Sequence, residues 1–334
     1  MTAASAAKAR GDELPMASDG ADIGPVGGAH VPVLVGQVVG GLRPRPGARL
    51  VDATIGLGGH AEALLAAAPD TVLLGLDRDP AALARTRERL APYGERVTLR
   101  QVSFADMRAA LAASGWDGAD AVLVDLGVSS MQLDDPARGF SFRGDGPLDM
   151  RMGPGAPYTA AELVSALDEP ELARILREYG EEPRARAIAR AIVRVRPLAT
   201  TAQLADVVTR VVGRGKPGHH PATRTFQAIR IAVNDELAAL DALLAEGWAL
   251  LRPGGRLAIL AYHSLEDRRV KTAFRRWAAD CICPPHVVQC VCGWRAKVRL
   301  VTPRPLRPED DEIARNPRAR SARLRIVERT TEEG

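Results

Sequence analysis

The chain has 334 residues, 46% of them hydrophobic, and a formal net charge of +4. That length suits one large domain or two ordinary ones, and no apolar run approaches the ~20 residues of a membrane span. Asp12, Glu13 and several prolines break up any secretory signal, and all four cysteines fall between positions 281 and 292, so a secreted disulfide framework is not expected and a cytoplasmic protein is the default.

Residues 1–28 are rich in Ala, Gly, Ser, Pro and Asp without apolar period, the composition of a disordered tail. Order is expected from about His30, with a short helix over Val35 to Leu42. The stretch from Leu50 to Asp79 then reads as strand, glycine turn, helix and strand, one βαβ unit. Its first strand ends at Asp52, the turn is Gly56-Leu57-Gly58-Gly59, the helix runs from His60 to Ala68, and the second strand ends at Asp77. Glycines allow close backbone approach to a ligand, and a helix N-terminus offers unpaired N–H groups. Asp77, 21 residues after Gly56, is placed to accept hydrogen bonds from both hydroxyls of a ribose. The turn fits a dinucleotide fingerprint as Gly56-x-Gly58-x-x-Ala61, and it fits a sulfonium nucleoside, S-adenosylmethionine, as Asp52-x-x-x-Gly56-x-Gly58-Gly59. The second ligand has no phosphate, and its ammonium wants a carboxylate, which Asp52 supplies. A glycine turn without any nucleoside is the plainer alternative.

A helix over Ala81 to Leu90 and a third strand, Val97 to Val102, follow. Phe104 just beyond is either a core ring or a platform for an adenine face. After a helix from Met107 to Ser114, the run Ala119 to Asp125 is a fourth buried strand ending in an acid. Leu126 to Asp135 is a loop rich in hydrogen-bonding groups, Ser129 and Gln132 among them, at the edge where open α/β sheets bind ligands. The irregular stretch Arg138 to Met152, which contains Asp149, has the composition of a binding loop. Helical patterns follow, opened by the capping box Thr159-x-x-Glu162 and continuing over Pro170 to Tyr179, Glu182 to Val195 and Thr201 to Val211. None alternates with a strand, so residues 138–218 are expected to form an inserted all-helical domain within a discontinuous domain of residues 29–137 and 219–334.

A long helix beyond Thr225 is expected to end near Leu251, before a turn at Arg252 to Gly255 and a fifth strand, Arg256 to Tyr262. His263 sits at its carboxyl end. A helix runs on to about Ala279, and Lys297 to Thr302 and Ala322 to Glu328 complete the sheet as a late hairpin. Two basic blocks stand out, Arg184 to Arg230 and Arg268 to Arg307, each with ten Lys/Arg against one acid. Either could be solvated helix surface, but together they point to a polyanionic partner. Cys281-x-Cys283 and Cys290-x-Cys292 either hold a metal or remain free or redox-paired thiols.

Several long motifs coincide in order. They include Asp52-Ala-Thr-Ile-Gly-Leu-Gly-Gly-His60, Leu76-Asp-Arg-Asp-Pro80, Asp125-Leu-Gly-Val-Ser-Ser130, Gly146-Pro-Leu-Asp-Met-Arg-Met152, His220-Pro-Ala-Thr-Arg-Thr-Phe226 and His263-Ser-Leu-Glu-Asp-Arg268. Together they closely resemble the bacterial small-subunit ribosomal RNA cytosine-N4 methyltransferases, the RsmH/MraW family, over roughly Ala29 to Thr330. The resemblance implies a class I S-adenosylmethionine methyltransferase, Rossmann-like, with a mostly parallel seven-stranded sheet. It implies methylation of the exocyclic N4 of one cytidine in the decoding region of 16S ribosomal RNA, with the small ribosomal subunit as the expected partner. Gly58, Gly59 and His60 match the family's cofactor loop, Asp77 the ribose acid, Phe104 and Asp125 the adenine side, and Gln132 a further cofactor contact. Most amino-methyltransferases carry a Pro-Pro-aromatic loop after the fourth strand, whereas this chain has Asp125-Leu-Gly-Val. Asp125, Ser129, Asp149 and His263 are therefore the candidate acceptors for the amine proton. A nicotinamide-dependent oxidoreductase, a non-catalytic RNA-binding assembly factor and a methyltransferase acting on another substrate are the rival readings.

Overall fold

A computed structural model describes residues 32–213, 215, 220–287 and 289–331. The proposed tail at 1–28 and the segment 216–219 lie outside the described residues. The chain runs α1 (Val35–Leu42), β1 (Arg49–Asp52), α2 (Gly59–Ala67), β2 (Val72–Asp77), α3 (Pro80–Arg89), β3 (Val97–Gln101), α4 (Met107–Ala112) and β4 (Ala119–Asp125). It continues with α5 (Ser130–Asp134), α6 (Ala160–Ala166), α7 (Glu169–Gly180), α8 (Ala185–Val195), α9 (Thr201–Val212), α10 (Thr223–Asn234) and α11 (Glu236–Glu246). The last elements are β5 (Leu251–Ala261), α12 (Ser264–Trp277), β6 (Val298–Leu300), α13 (Asp310–Arg315) and β7 (Arg323–Arg329).

The strands form one seven-stranded sheet in the order β3-β2-β1-β4-β5-β7-β6. The first five are parallel, and β7 runs antiparallel to both β5 and β6. This is the class I methyltransferase sheet expected from the sequence. Its strands are apolar on both faces because helices cover both. Leu50, Leu73, Leu123 and Leu260 point to one face, which packs with Leu64 and Leu65 of α2 and Leu83 of α3. Val51, Leu74, Val124 and Ile259 point to the other, which packs with Met107 of α4, Leu243 of α11 and Phe274 of α12. The strand order reverses between β1 and β4, so the carboxyl ends of these two strands open a crevice there.

The helices between β4 and β5 make a third core. In α8, Ala185, Ile188, Ala189 and Ile192 are buried at i, i+3, i+4, i+7 spacing while Arg186, Arg190 and Arg194 face solvent. That core contains Phe140, Leu148, Met150 and Met152 as well as Phe226, Ala228, Ile229 and Val233 of α10. The stretch Arg138 to Met152 thus sends Phe140, Leu148, Met150 and Met152 into this core while Arg143, Asp145 and Pro147 stay exposed. Its irregularity has a steric cause. A Cβ on Gly139 would lie 2.2 Å from the Pro147 carbonyl oxygen, and one on Gly146 1.9 Å from that of Pro136.

Two further expectations change. The long helix beyond Thr225 is two helices, broken at Asp235, whose φ of 50° is left-handed. The break is held by Asn234, whose Nδ2 donates to the Met150 and Arg230 carbonyls (2.7 and 2.9 Å) and whose Oδ1 accepts from the Met152 N–H (2.7 Å). The fifth strand begins at Leu251 rather than Arg256, with a register irregularity opposite Ala119 and Ala121.

Candidate active site

β1, β2 and β4 each end in an aspartate, and parallel pairing brings the three tips to one edge. Beyond Asp52 the chain turns sharply. Gly56 and Gly58 have φ of 51° and 76°, left-handed values that favour glycine. Gly59 is demanded by packing as well, since a Cβ there would lie 2.3 Å from Pro32 Cγ. The Thr86 hydroxyl of α3 clamps the turn by donating to the Gly56 carbonyl at 2.5 Å.

Asp77 Oδ2 accepts the Gly56 N–H at 2.9 Å and its Oδ1 accepts the Asp79 N–H at 2.8 Å. The turn and the second strand are therefore locked together through the acid expected to hold ribose. Asp52 is 1% exposed and, among the described residues, accepts only a long bond from the Thr54 N–H, 3.3 Å. Burial, with the neighbouring charges of Asp125 and Asp77, pushes its pKa up to about 8. Burial also raises Asp77 and Asp125 above the ordinary carboxylate range. Three crowded acids of raised pKa form a site that gains from an incoming cation or hydroxyl donors.

Asp125 is held by Tyr262, whose hydroxyl donates to Oδ1 at 2.8 Å. Its backbone N–H donates to Thr54 Oγ1 at 2.6 Å, tying β4 to the turn after β1. His60, the first-turn residue of α2, is buried. Its Nε2 lies 2.8 Å from the Val33 carbonyl oxygen and its Nδ1 3.6 Å from Asp125 Oδ2. With Nε2 donating to a carbonyl, Nδ1 faces the Asp125 carboxyl across a gap longer than a hydrogen bond. Phe104 opens a single 3₁₀ turn after β3 and packs, half-buried, against the sheet core. Its ring can carry an adenine only on its outer side.

The remaining candidates divide. Gln132 has both side-chain groups occupied: Oε1 accepts the Ser129 N–H (3.1 Å) and Nε2 donates to Asp79 (3.0 Å). Ser129 is the N-cap of α5, its hydroxyl accepting the Gln132 N–H. Asp149 forms a two-pronged ion pair with Arg151 (2.8 and 2.7 Å) and accepts the Arg151 N–H as well. Burial pulls Asp149 upward, but these bonds outweigh it and lower its pKa, which makes it a poor proton acceptor. His263 caps α12, with Nδ1 accepting the Glu266 N–H at 3.4 Å and Nε2 3.1 Å from Glu266 Oε1 but off the hydrogen-bond line. Tyr262 and His263 also line a cavity of about 280 Å³ with Ser264, Arg307, Arg320, Ser321, Ala322 and Arg323. At this carboxyl edge of β5 the sheet is thus continuous with a cationic hollow.

Asp79 is a hub that the motif reading passes over. Buried at 2% exposure, it caps α3 through the Ala81 N–H (3.0 Å) and accepts from both Gln132 and Arg138 Nη1 (2.9 Å). The Asp-Pro at the start of α3 is a visible cap signal, but its partners lie 53 and 59 residues away. Glu181 joins the helical lobe to the same edge, accepting from the Ser264 hydroxyl at 2.5 Å and from Arg268 at 3.1 Å. No helix among the described residues is long and apolar enough to cross a membrane.

The signature of the MraW methylase family matches residues 28–330. A protein of Thermomicrobium roseum named ribosomal RNA small subunit methyltransferase H is 52% identical over 314 residues, covering 93% of this chain and 96% of that one. A protein of the same name from Geobacter sulfurreducens is 52% identical over 307 residues, covering 90% and 99%, and one from Solidesulfovibrio magneticus is 51% identical over 313 residues, covering 91% and 97%. With the seven-stranded sheet, the glycine turn and the three strand-tip acids already in place, the chain belongs to the MraW methylase family.

Proposed function

We propose that this enzyme transfers a methyl group from S-adenosylmethionine to the exocyclic N4 of one cytidine in the decoding region of 16S ribosomal RNA. The observation that carries the reading is the group of three strand-tip acids of raised pKa beside the glycine turn, Asp52 buried and Asp77 and Asp125 half-buried, in a chain of this family. S-adenosylmethionine, when bound, supplies an electrophilic methyl group on a sulfonium. The residues fit it. Asp52 provides a buried counter-charge for the ammonium, Asp77 has its carboxylate fixed by two N–H donors for the ribose hydroxyls, and the turn at Gly58 and Gly59 admits the ligand close to the backbone.

A cytosine amine is a weak nucleophile because its lone pair is spread into the ring. The base must be unstacked and held, and much of the gain is positional. Draining a proton from the amine localises the lone pair. Of the four candidates, we assign this role to Asp125 or His263. Asp125 has a raised pKa, and Tyr262 and His60 hold its carboxylate in place. His263 lines the cavity that also holds Arg307, Arg320 and Arg323. Ser129 and Asp149 position the chain instead, through a helix cap and the Arg151 ion pair. Arg307 and Arg320, both exposed at that cavity, suit the phosphates flanking the target, and the outward arginines of α8 suit a second stretch of backbone. The substrate is proposed to be the assembled small subunit in the bacterial cytoplasm, where neighbouring RNA presents the decoding-region loop.

The test uses small subunits from a strain lacking the enzyme, labelled S-adenosylmethionine, and nucleoside mapping. One N4-methylated cytidine per subunit is expected. Label on another base, on DNA or on protein would replace the reading by one of its rivals.

A further inference from the structure

We infer that Cys281, Cys283, Cys290 and Cys292 form a closed structural zinc site that pins the crossing from α12 to β6. Their four Sγ atoms all lie within 4.8 Å of one another. Cys281 Sγ is 3.5 Å from Cys290 Sγ and 3.8 Å from Cys292 Sγ, and these last two are 3.6 Å apart. Four thiolates at the corners of a tetrahedron, each ~2.3 Å from a central zinc, stand about 3.8 Å apart, because the edge is about 1.63 times the radius. A disulfide would need about 2.05 Å. The four sulfurs thus have the spacing of a shared ion rather than of paired cystines.

The backbone supports the same arrangement. The N–H groups of Ile282 and Trp294 both point to Cys292 Sγ at 3.5 Å, that of Cys283 to Cys281 Sγ at 3.4 Å, and that of Val291 to Cys283 Sγ at 3.4 Å. Amide donors aimed at sulfur stabilise thiolates and orient them, the supporting role expected around a metal. An all-thiolate set selects a soft or borderline ion, and four protein ligands leave no open position, which is the structural rather than the catalytic pattern. Methyl transfer has no redox step that would call for iron.

The fold also has use for a cross-link here. Residues 278–297 separate α12 from β6 with no intervening helix or strand among the described residues. Cys281 and Cys290 are exposed, and Val291 is 80% exposed. With so little buried apolar surface, a metal is the most direct way to order the segment. What it orders is basic. Trp294, anchored to Cys292 through its N–H, lies with its ring 6.0 Å from the Arg276 guanidinium and 5.6 Å from the Lys297 ammonium. The zinc loop fixes this cationic cluster on the rim of α12, whose other end carries His263 as its cap.

The full chain, purified without chelator, should contain about one zinc per molecule by elemental analysis. Cobalt(II) supplied in its place should give the intense visible bands of a tetrahedral thiolate complex. Cys281→Ser and Cys292→Ser should each lose the metal, and residues 278–297 should then be cleaved faster by protease. S-adenosylhomocysteine binding, read by calorimetry, should persist in the same variants and so show that they fold. If the variants do not fold, titrating the wild-type thiols with a mercurial should release zinc one to one. Iron in place of zinc, two disulfides by mass spectrometry, or a metal-free chain whose four thiols react at once would each overturn the inference.

Discussion

Replacing Asp52 by Asn keeps the shape of the strand tip and removes its charge. In the free protein Asp52 has a pKa of about 8, raised mainly by burial. An ammonium set against it favours the ionised form, so binding at lower pH must first remove a proton. At pH 8 about half of the Asp52 groups are ionised, and at pH 6 about one in a hundred. The affinity for S-adenosylhomocysteine, which carries the same ammonium, should therefore fall about fiftyfold from pH 8 to pH 6, approaching tenfold per pH unit. In Asp52→Asn that dependence should flatten, and affinity at pH 8 should be the weaker of the two proteins. Stability moves oppositely. An acid whose folded pKa lies above its unfolded value stabilises fully below the unfolded pKa, and that contribution is lost as pH rises through the folded one. From 3.8 to about 8 the loss is at most about 6 kcal/mol. The free Asn variant should thus gain on wild type in urea midpoint between pH 6 and pH 8. Calorimetry and urea titration at three pH values measure both effects. An equal pH slope of affinity in the two proteins would refute the reasoning.

Asp77→Ala removes the acceptor proposed for the two ribose hydroxyls. At about 1.5–3 kcal/mol for each bond to a charged group, affinity should drop a hundredfold or more, and calorimetry showing less than tenfold would remove Asp77 from the ribose site. His263→Ala should leave that affinity unchanged and cut turnover by about a hundredfold or more, whereas unchanged turnover would take His263 out of the reaction. Tyr262→Phe deletes the bond that favours ionised Asp125, so the acid limb of the turnover–pH profile should move to higher pH. An unmoved limb would acquit Asp125 as the proton acceptor. Asp79→Ala strands Arg138 and Gln132 at a buried site and should cost about 3–5 kcal/mol in urea unfolding. A loss under 1 kcal/mol would contradict its role as a hub.

What is legible in sequence here is what is local. The βαβ unit, the glycine turn and the acids ending three strands rest on short-range periodicity and on residues with one conformational use, and all stand in the structure as expected. Relations between distant residues are not legible in this way. The local mark of a helix break at Asp235 is weak: Asn and Asp tolerate left-handed backbone, but the apolar pattern continues and neither Gly nor Pro interrupts it. The break is written in the side chain of Asn234 and its bonds to Met150 and Met152. Arg138 to Met152 has no regular period, yet four of its apolar residues are buried, since glycine close approaches rather than a helix or strand shape it. Among the candidate acceptors, residue type alone could not separate Asp149 from Asp125. One is neutralised by Arg151 two positions away, and the other is kept basic by burial.

The most direct test is a crystal structure of the enzyme with S-adenosylhomocysteine. The ribose hydroxyls should lie on Asp77, the ammonium within reach of Asp52, and the adenine between Phe104 and the end of β4. A nucleoside bound away from these strand tips, or an ammonium facing a group other than Asp52, would contradict the carboxylate pocket on which the proposed chemistry rests.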